Sequence, residues 1–265
     1  MAEKGNHQDQ RKPERKLCLT LKGLSKNFGS LAAVININLE VLQGERRAII
    51  GANGAGKTTL FDLIGGQLRP SAGHVSFLDR DITRMRPFQR AHLGLTRTYQ
   101  ITNLFPSLSV LYNVILGVQA LEKTKFVPCI PITSYGRFYD QAEELLDRLG
   151  LLDKKEELVQ HLPYGEQRLI ELAIALAGKP KLLLLDEPTS GLPAGESKEL
   201  TKVLMALDPE TTIIIVEHDM DVAFSVAERV TVLHLGEILA EGTTDEIKNN
   251  AEVQRVYLGE EEEDE

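Results

Sequence analysis

The chain has 265 residues, long enough for one large domain or two small ones with a substantial core. Hydrophobic residues make up 42% and charged residues 26%, which excludes a chain disordered or fibrous throughout, and a net charge of −9 argues against nucleic acid as a partner. No apolar run approaches the ~18 residues that cross a bilayer, no apolar stretch opens the chain, and Cys18 and Cys129 lack zinc or disulfide-framework spacing, so a cytosolic protein is expected.

In chain order, residues 1–16 are polar throughout and read as a disordered tail. Ile35, Ile37, Leu39 and Val41 then alternate with polar residues, the period of a half-buried strand. Gln43-Gly44 reads as a turn and Arg47 to Ile50 as a short buried strand. The stretch Gly51-Ala52-Asn53-Gly54-Ala55-Gly56-Lys57-Thr58-Thr59 follows, and an apolar-periodic helix over Leu60–Leu68 comes after it. From 86 to about 165 the texture turns helical, predicting a helical subdomain inserted into an α/β core. Leu182–Leu185 and Ile213–Val216 are continuous apolar runs closed by charges, as in strands covered by helices on both faces. The chain closes on six acids, Glu260 to Glu265, expected to stay solvated.

The glycine-rich stretch fits GxxxxGK[ST]. Its glycines let backbone N–H groups turn toward phosphate oxygens, and the helix that follows presents its positive end. Lys57 would reach the β- and γ-phosphates, and Thr58 would offer a hydroxyl to Mg²⁺. Asp186, at the tip of a buried strand, suits Mg²⁺ coordination through water, and the adjacent Glu187 can polarise an attacking water.

Between these motifs, Leu162-Pro163-Tyr164-Gly165-Glu166-Gln167-Arg168 resembles the LSGGQ-type signature of ATP-binding cassette (ABC) ATPases, over roughly residues 17–259. The resemblance implies a P-loop NTPase with a RecA-like core, an antiparallel β-subdomain and the helical subdomain at 86–165. It implies Phe28 stacked on adenine, Gln100 as the Q-loop glutamine near the metal and γ-phosphate, and His218 as the switch histidine. Pro163, Tyr164, Gly165 and Glu166 would act in trans, on the ATP of a second ATPase subunit, in a heterodimer or a homodimer. Arg97-Thr98-Tyr99-Gln100, Glu217-His218-Asp219-Met220 and Tyr257-Leu258-Gly259-Glu260 are similar to the ATPase subunits of branched-chain amino-acid importers.

That likeness implies ATP and Mg²⁺ as cofactors, integral membrane permease subunits as direct partners and an extracytoplasmic solute-binding protein as an indirect one. It places the chain on the cytoplasmic face of the inner membrane. Leu104, Phe105, Leu108 and Val110, grouped beside Gln100, are the expected permease-docking surface. Three departures stand out: Pro163 for the signature serine, Tyr164 for its first glycine and Pro193 for the Asp or Asn of the D-loop. They favour an alternative, an ATP-binding regulatory subunit with weak hydrolysis.

Overall fold

The computed structural model describes residues 15–98, 104–122 and 136–261, with side chains through 256. Among them two sheets form. The first is antiparallel and combines β1 (Leu17–Phe28), β2 (Leu31–Leu42), β4 (Ala72–Phe77) and β5 (Arg80–Asp81) in the order β2-β1-β4-β5. The second has β3 (Arg46–Ile50) near its middle, with β6 (Leu95–Arg97), β7 (Leu182–Asp186), β8 (Thr212–Val216), β9 (Arg229–His234) and β10 (Glu237–Thr243), ordered β10-β9-β3-β8-β7-β6. All its pairings are parallel except that of β10 with β9.

Every residue of β7 and β8 is buried, as expected of strands covered on both faces. Their side chains alternate between two cores. Leu183, Leu185, Ile213 and Ile215 join the helical side, whereas Leu182, Leu184, Ile214 and Val216 join the antiparallel sheet and α1 (Lys57–Gly65). β2 breaks its own period: Asn36 adopts φ 49° at a bulge, so Val34 is buried and Ile35 only half-buried. The amide of Ile35 donates to Gly236 O at 2.8 Å, fastening the antiparallel sheet beside β9.

The first residues of the span expected to form the helical subdomain, about 86–165, pack on the α/β core. α2 (Pro87–Leu93) lies against α1, where the buried Arg90 donates to the carbonyls of Leu63 (2.8 Å) and Ile64 (2.5 Å), and β6 is an edge strand of the core sheet. Three pairs with β7 suffice for a strand too short to show a period. α3 (Val110–Ala120), α4 (Gly136–Arg148) and α5 (Tyr164–Ala177) pack on one another and share a core with β7 and β8. α6 (Ala194–Met205), α7 (Met220–Val226), α8 (Thr244–Lys248) and α9 (Ala251–Glu261) complete the chain. The helix α9 continues past 260, into the run of acids expected to be tail. No described helix is long and apolar enough to cross a membrane.

Candidate active site

The site lies at the carboxyl ends of β3, β7 and β8, where an open α/β sheet collects its ligands. β3 delivers the chain into the loop 51–56, which is clasped from two sides. A Cβ on Gly56 would stand 2.4 Å from Ala33 O in β2, and one on Gly51 would stand 2.3 Å from Leu233 O in β9. Gly56 also takes φ 99°, so glycine is required there twice over. α1 starts at Lys57 with no acid in its first turn and no side chain capping it. Lys57 is buried, its Nζ donating to Gly51 O (2.5 Å) and Ala52 O (2.9 Å). Burial pushes its pKa down, against the opposing pull of Glu187 and Asp186. Asn53, Gly54 and Thr58 are exposed, Ala52 and Thr59 half-buried, and Ala55 buried.

Asp186 ends β7 and is buried, its Oδ2 accepting from Arg97 Nη2 at 2.7 Å. The other arm of that guanidinium donates to Asp62 Oδ1 on α1 at 2.6 Å. Immediately after, Glu187 turns into the left-handed region at φ 47°, a conformation that costs a non-glycine residue of order 1 kcal/mol or more. The turn separates the two adjacent carboxylates, and it brings Glu187 Oε1 to 2.6 Å from His218 Nε2. His218 is exposed, on the loop that leaves β8.

A second tie joins the same two loops. The buried carboxylate of Glu217 accepts from the amide (3.0 Å) and hydroxyl (2.8 Å) of Thr189. Desolvation pushes its carboxyl above the usual carboxylate range despite those bonds. Nothing in the sequence marks Thr189 or the pairing of Arg97, and Glu217 shows there only as part of Glu217-His218-Asp219-Met220 and as the acid closing the apolar run Ile213–Val216. Among the described residues no three His, Cys, Asp or Glu side chains gather to hold a metal. The donors present, a threonine hydroxyl and one carboxylate, suit a hard cation shared with phosphate oxygens. Phe28 ends β1, 47% exposed, with Lys26 Nζ 5.1 Å from its ring centroid. Gln100 lies outside the described residues.

The signature segment opens α5. Pro163 stands one residue before the helix, at φ −54° and ψ 153°, with no cap to offer. The missing cap comes from α6, where Glu196 Oε2 accepts from the amide of Gly165 at 2.9 Å. α6 likewise begins behind a proline, Pro193. Glu196 occupies the third position of α6, where a glutamate ordinarily returns to the amide of its own cap residue. Proline has no such amide, so the carboxylate serves the neighbouring helix. Tyr164 lies exposed, with the Arg168 guanidinium 4.9 Å from its ring centroid, and Glu166 is paired with Lys154.

The model of the family described as "ABC transporter" matches residues 34–190, spanning the loop, the signature and the acidic pair. The chain belongs to the ABC transporter ATP-binding cassette family. A second model, "Branched-chain amino acid ATP-binding cassette transporter", matches residues 237–263. The cassette is 37% identical over 249 residues to LivG of Escherichia coli K12, a high-affinity branched-chain amino acid transport ATP-binding protein, covering 91% of this chain and 98% of that one. It is 32% identical to LptB of Haemophilus influenzae, a lipopolysaccharide export ATP-binding protein, over 91% and 97% of the two chains. Among solved structures it resembles an ABC transporter cassette in its ADP conformation (TM-score 0.80, 27% identity, 92% and 99% covered). It also resembles a dimeric cassette in a post-hydrolysis state bound to ADP and Pi (0.73, 26%, 85% and 98%). The cassette is thus a nucleotide-binding P-loop ATPase of a transporter, of a family whose members dimerise.

Proposed function

We propose that this cassette energises import of branched-chain amino acids or a similar small polar solute, by hydrolysing MgATP between two ATPase subunits on the cytoplasmic face of the membrane. The match at 237–263 favours this substrate class over the exported lipid of the LptB relative. The observation that carries the chemistry is the 2.6 Å contact of Glu187 with His218.

Phe28 would stack on adenine, while the loop amides of 51–56 and Lys57 would take the phosphates. Thr58, Asp186 and Gln100 would hold Mg²⁺, which when bound neutralises charge on the phosphates. Glu187 orients the attacking water and accepts its proton, and His218 keeps that carboxylate aimed. Lys57 offsets the charge that develops on the transferred phosphoryl group, so catalysis is chiefly positioning and electrostatics.

The direct partners are a second ATPase subunit and integral permease subunits, with a solute-binding protein acting through the latter. A permease loop would dock in the apolar groove of about 470 Å³ between α2, β6, α3 and α5, lined by Leu104, Ala120, Leu121 and Ile174. Phe105 stands at its approach, 55% exposed, whereas Val110 of the expected surface is fully buried in the core. In proteoliposomes holding permease, cassette and binding protein, Phe105→Asp should abolish leucine-stimulated ATPase and leave ATP binding unchanged. Stimulation at the parental rate, or by other solutes alone, would count against this assignment.

A second reading, a regulatory subunit of weak turnover, is favoured by Glu196 occupying the Gly165 amide. Steady-state ATPase of the assembled complex separates the two.

A further inference from the structure

Among the described residues, Arg97 is the one side chain that both lines the proposed docking groove and bonds the carboxylate at the tip of β7. It closes the edge strand β6, whose pairs with β7 are Leu95↔Leu182, Thr96↔Leu183 and Arg97↔Leu184. As the edge strand, β6 has β7 as its one neighbour in the sheet, so a displacement of β6 reaches the β7-β8-β3 ladder through that pairing. The Arg97 side chain is 6% exposed and that of Asp186 5%, so their charges meet largely out of water, where geometry governs strength. Nη2 holds Asp186 Oδ2, and Nη1 holds Asp62 Oδ1, five residues along α1 from Lys57. A small movement of this guanidinium therefore reaches both walls of the nucleotide site.

We propose that Arg97 is a positioning residue that transmits occupancy of the groove to Asp186, setting how readily that carboxylate accepts Mg²⁺ with the nucleotide. Arginine is required because its planar fork spans two carboxylates at once, which a lysine ammonium cannot do with the same fixed geometry. The permease half of this inference rests on the groove being the docking site.

Two measurements on Arg97→Lys test it, one on the cassette alone and one on the complex with its permease. For the cassette alone, the Mg²⁺ concentration giving half-maximal binding of a fluorescent ATP analogue should rise about tenfold. Affinity for the analogue without Mg²⁺, and the unfolding midpoint, should hold. In the complex, assembly should persist while permease stimulation of ATPase falls severalfold. An unchanged Mg²⁺ requirement, or full stimulation, would show that Arg97 is only a structural staple. Should Arg97→Lys fail to fold, Asp62→Asn, at a more exposed position, loosens one arm and should shift the Mg²⁺ requirement two- to threefold in the same direction; no shift would overturn the inference. Ala120→Glu separates the two claims. If it still assembles with the permease, the groove reading falls and the transmission role with it, whereas a normal Mg²⁺ requirement in Arg97→Lys refutes Arg97 alone.

Discussion

Glu187 carries two burdens that a strand-ending acid would not, a left-handed backbone and a short contact to His218. Replacing its carboxylate by an amide keeps the shape and removes the proposed proton acceptor. Glu187→Gln should therefore retain ATP affinity, lose about two orders of magnitude in turnover and accumulate as an ATP-bound dimer, read by size-exclusion chromatography. Turnover at the parental rate would assign the base elsewhere. Lys57→Ala should instead lose nucleotide affinity, since the ammonium it removes is poised among the loop carbonyls at 51 and 52. Glu217 sets a pH dependence of stability. Its carboxyl is raised by burial, so the folded protein binds this proton more tightly than the unfolded chain. Stability from this group is present below the ordinary carboxylate value and is lost as pH climbs through the raised one. The unfolding midpoint of Glu217→Gln should gain on the parent as pH rises from about 4 to about 7; a constant difference would contradict the shift.

Among the elements, α1 depends on a residue outside itself. Arg90 is buried and covers the helix's last carbonyls while also donating to Met85 O (3.1 Å) and Thr83 O (3.2 Å). Burial lowers its pKa to about 10, which still leaves it charged at neutral pH. Arg90→Ala strands those carbonyls without partners and should cost about 2–4 kcal/mol in a denaturant titration. A loss below about 1 kcal/mol would mean that water replaces the guanidinium. The buried strands and the loop 51–56 were readable beforehand because burial on both faces and phosphate binding each leave a local pattern. β6 was not, since three residues show no period, and nothing local in the sequence marks Arg90 or its own last residue, Arg97, as buried. The partners of Arg97, Glu217 and Glu196 lie 28 to 89 residues away, so their bonds exist only once the sheet has assembled. Gln100 falls outside the described residues, and its role rests on the resemblance.

At the scale of the assembled molecule, a signature serving the partner's ATP, as the resemblance implies, would make Pro163 a handicap to the opposite site, not to the one holding Lys57 and Glu187. A homodimer would carry that handicap twice; a partner with an intact signature leaves one equipped site. Losing a charge-assisted hydrogen bond costs ~1.5–3 kcal/mol, roughly one to two decades in rate where it is felt in the transition state. The isolated subunit should be a slow ATPase, faster beside a different ATPase subunit, and Pro163→Ser should raise its own rate. No gain, with ATP binding intact, would show that the site tolerates proline. The bond from Gly165 to Glu196 also makes the order of substitution at 163 and 193 matter. An aspartate arriving first at 193 would restore an amide that Glu196 can claim within its own helix, withdrawing it from α5 and leaving that helix start bare. A serine arriving first at 163 would supply a hydroxyl cap and make the borrowed carboxylate dispensable. Pro163→Ser followed by Pro193→Asp thus keeps α5 capped at each step, whereas the reverse order passes through a bare helix start.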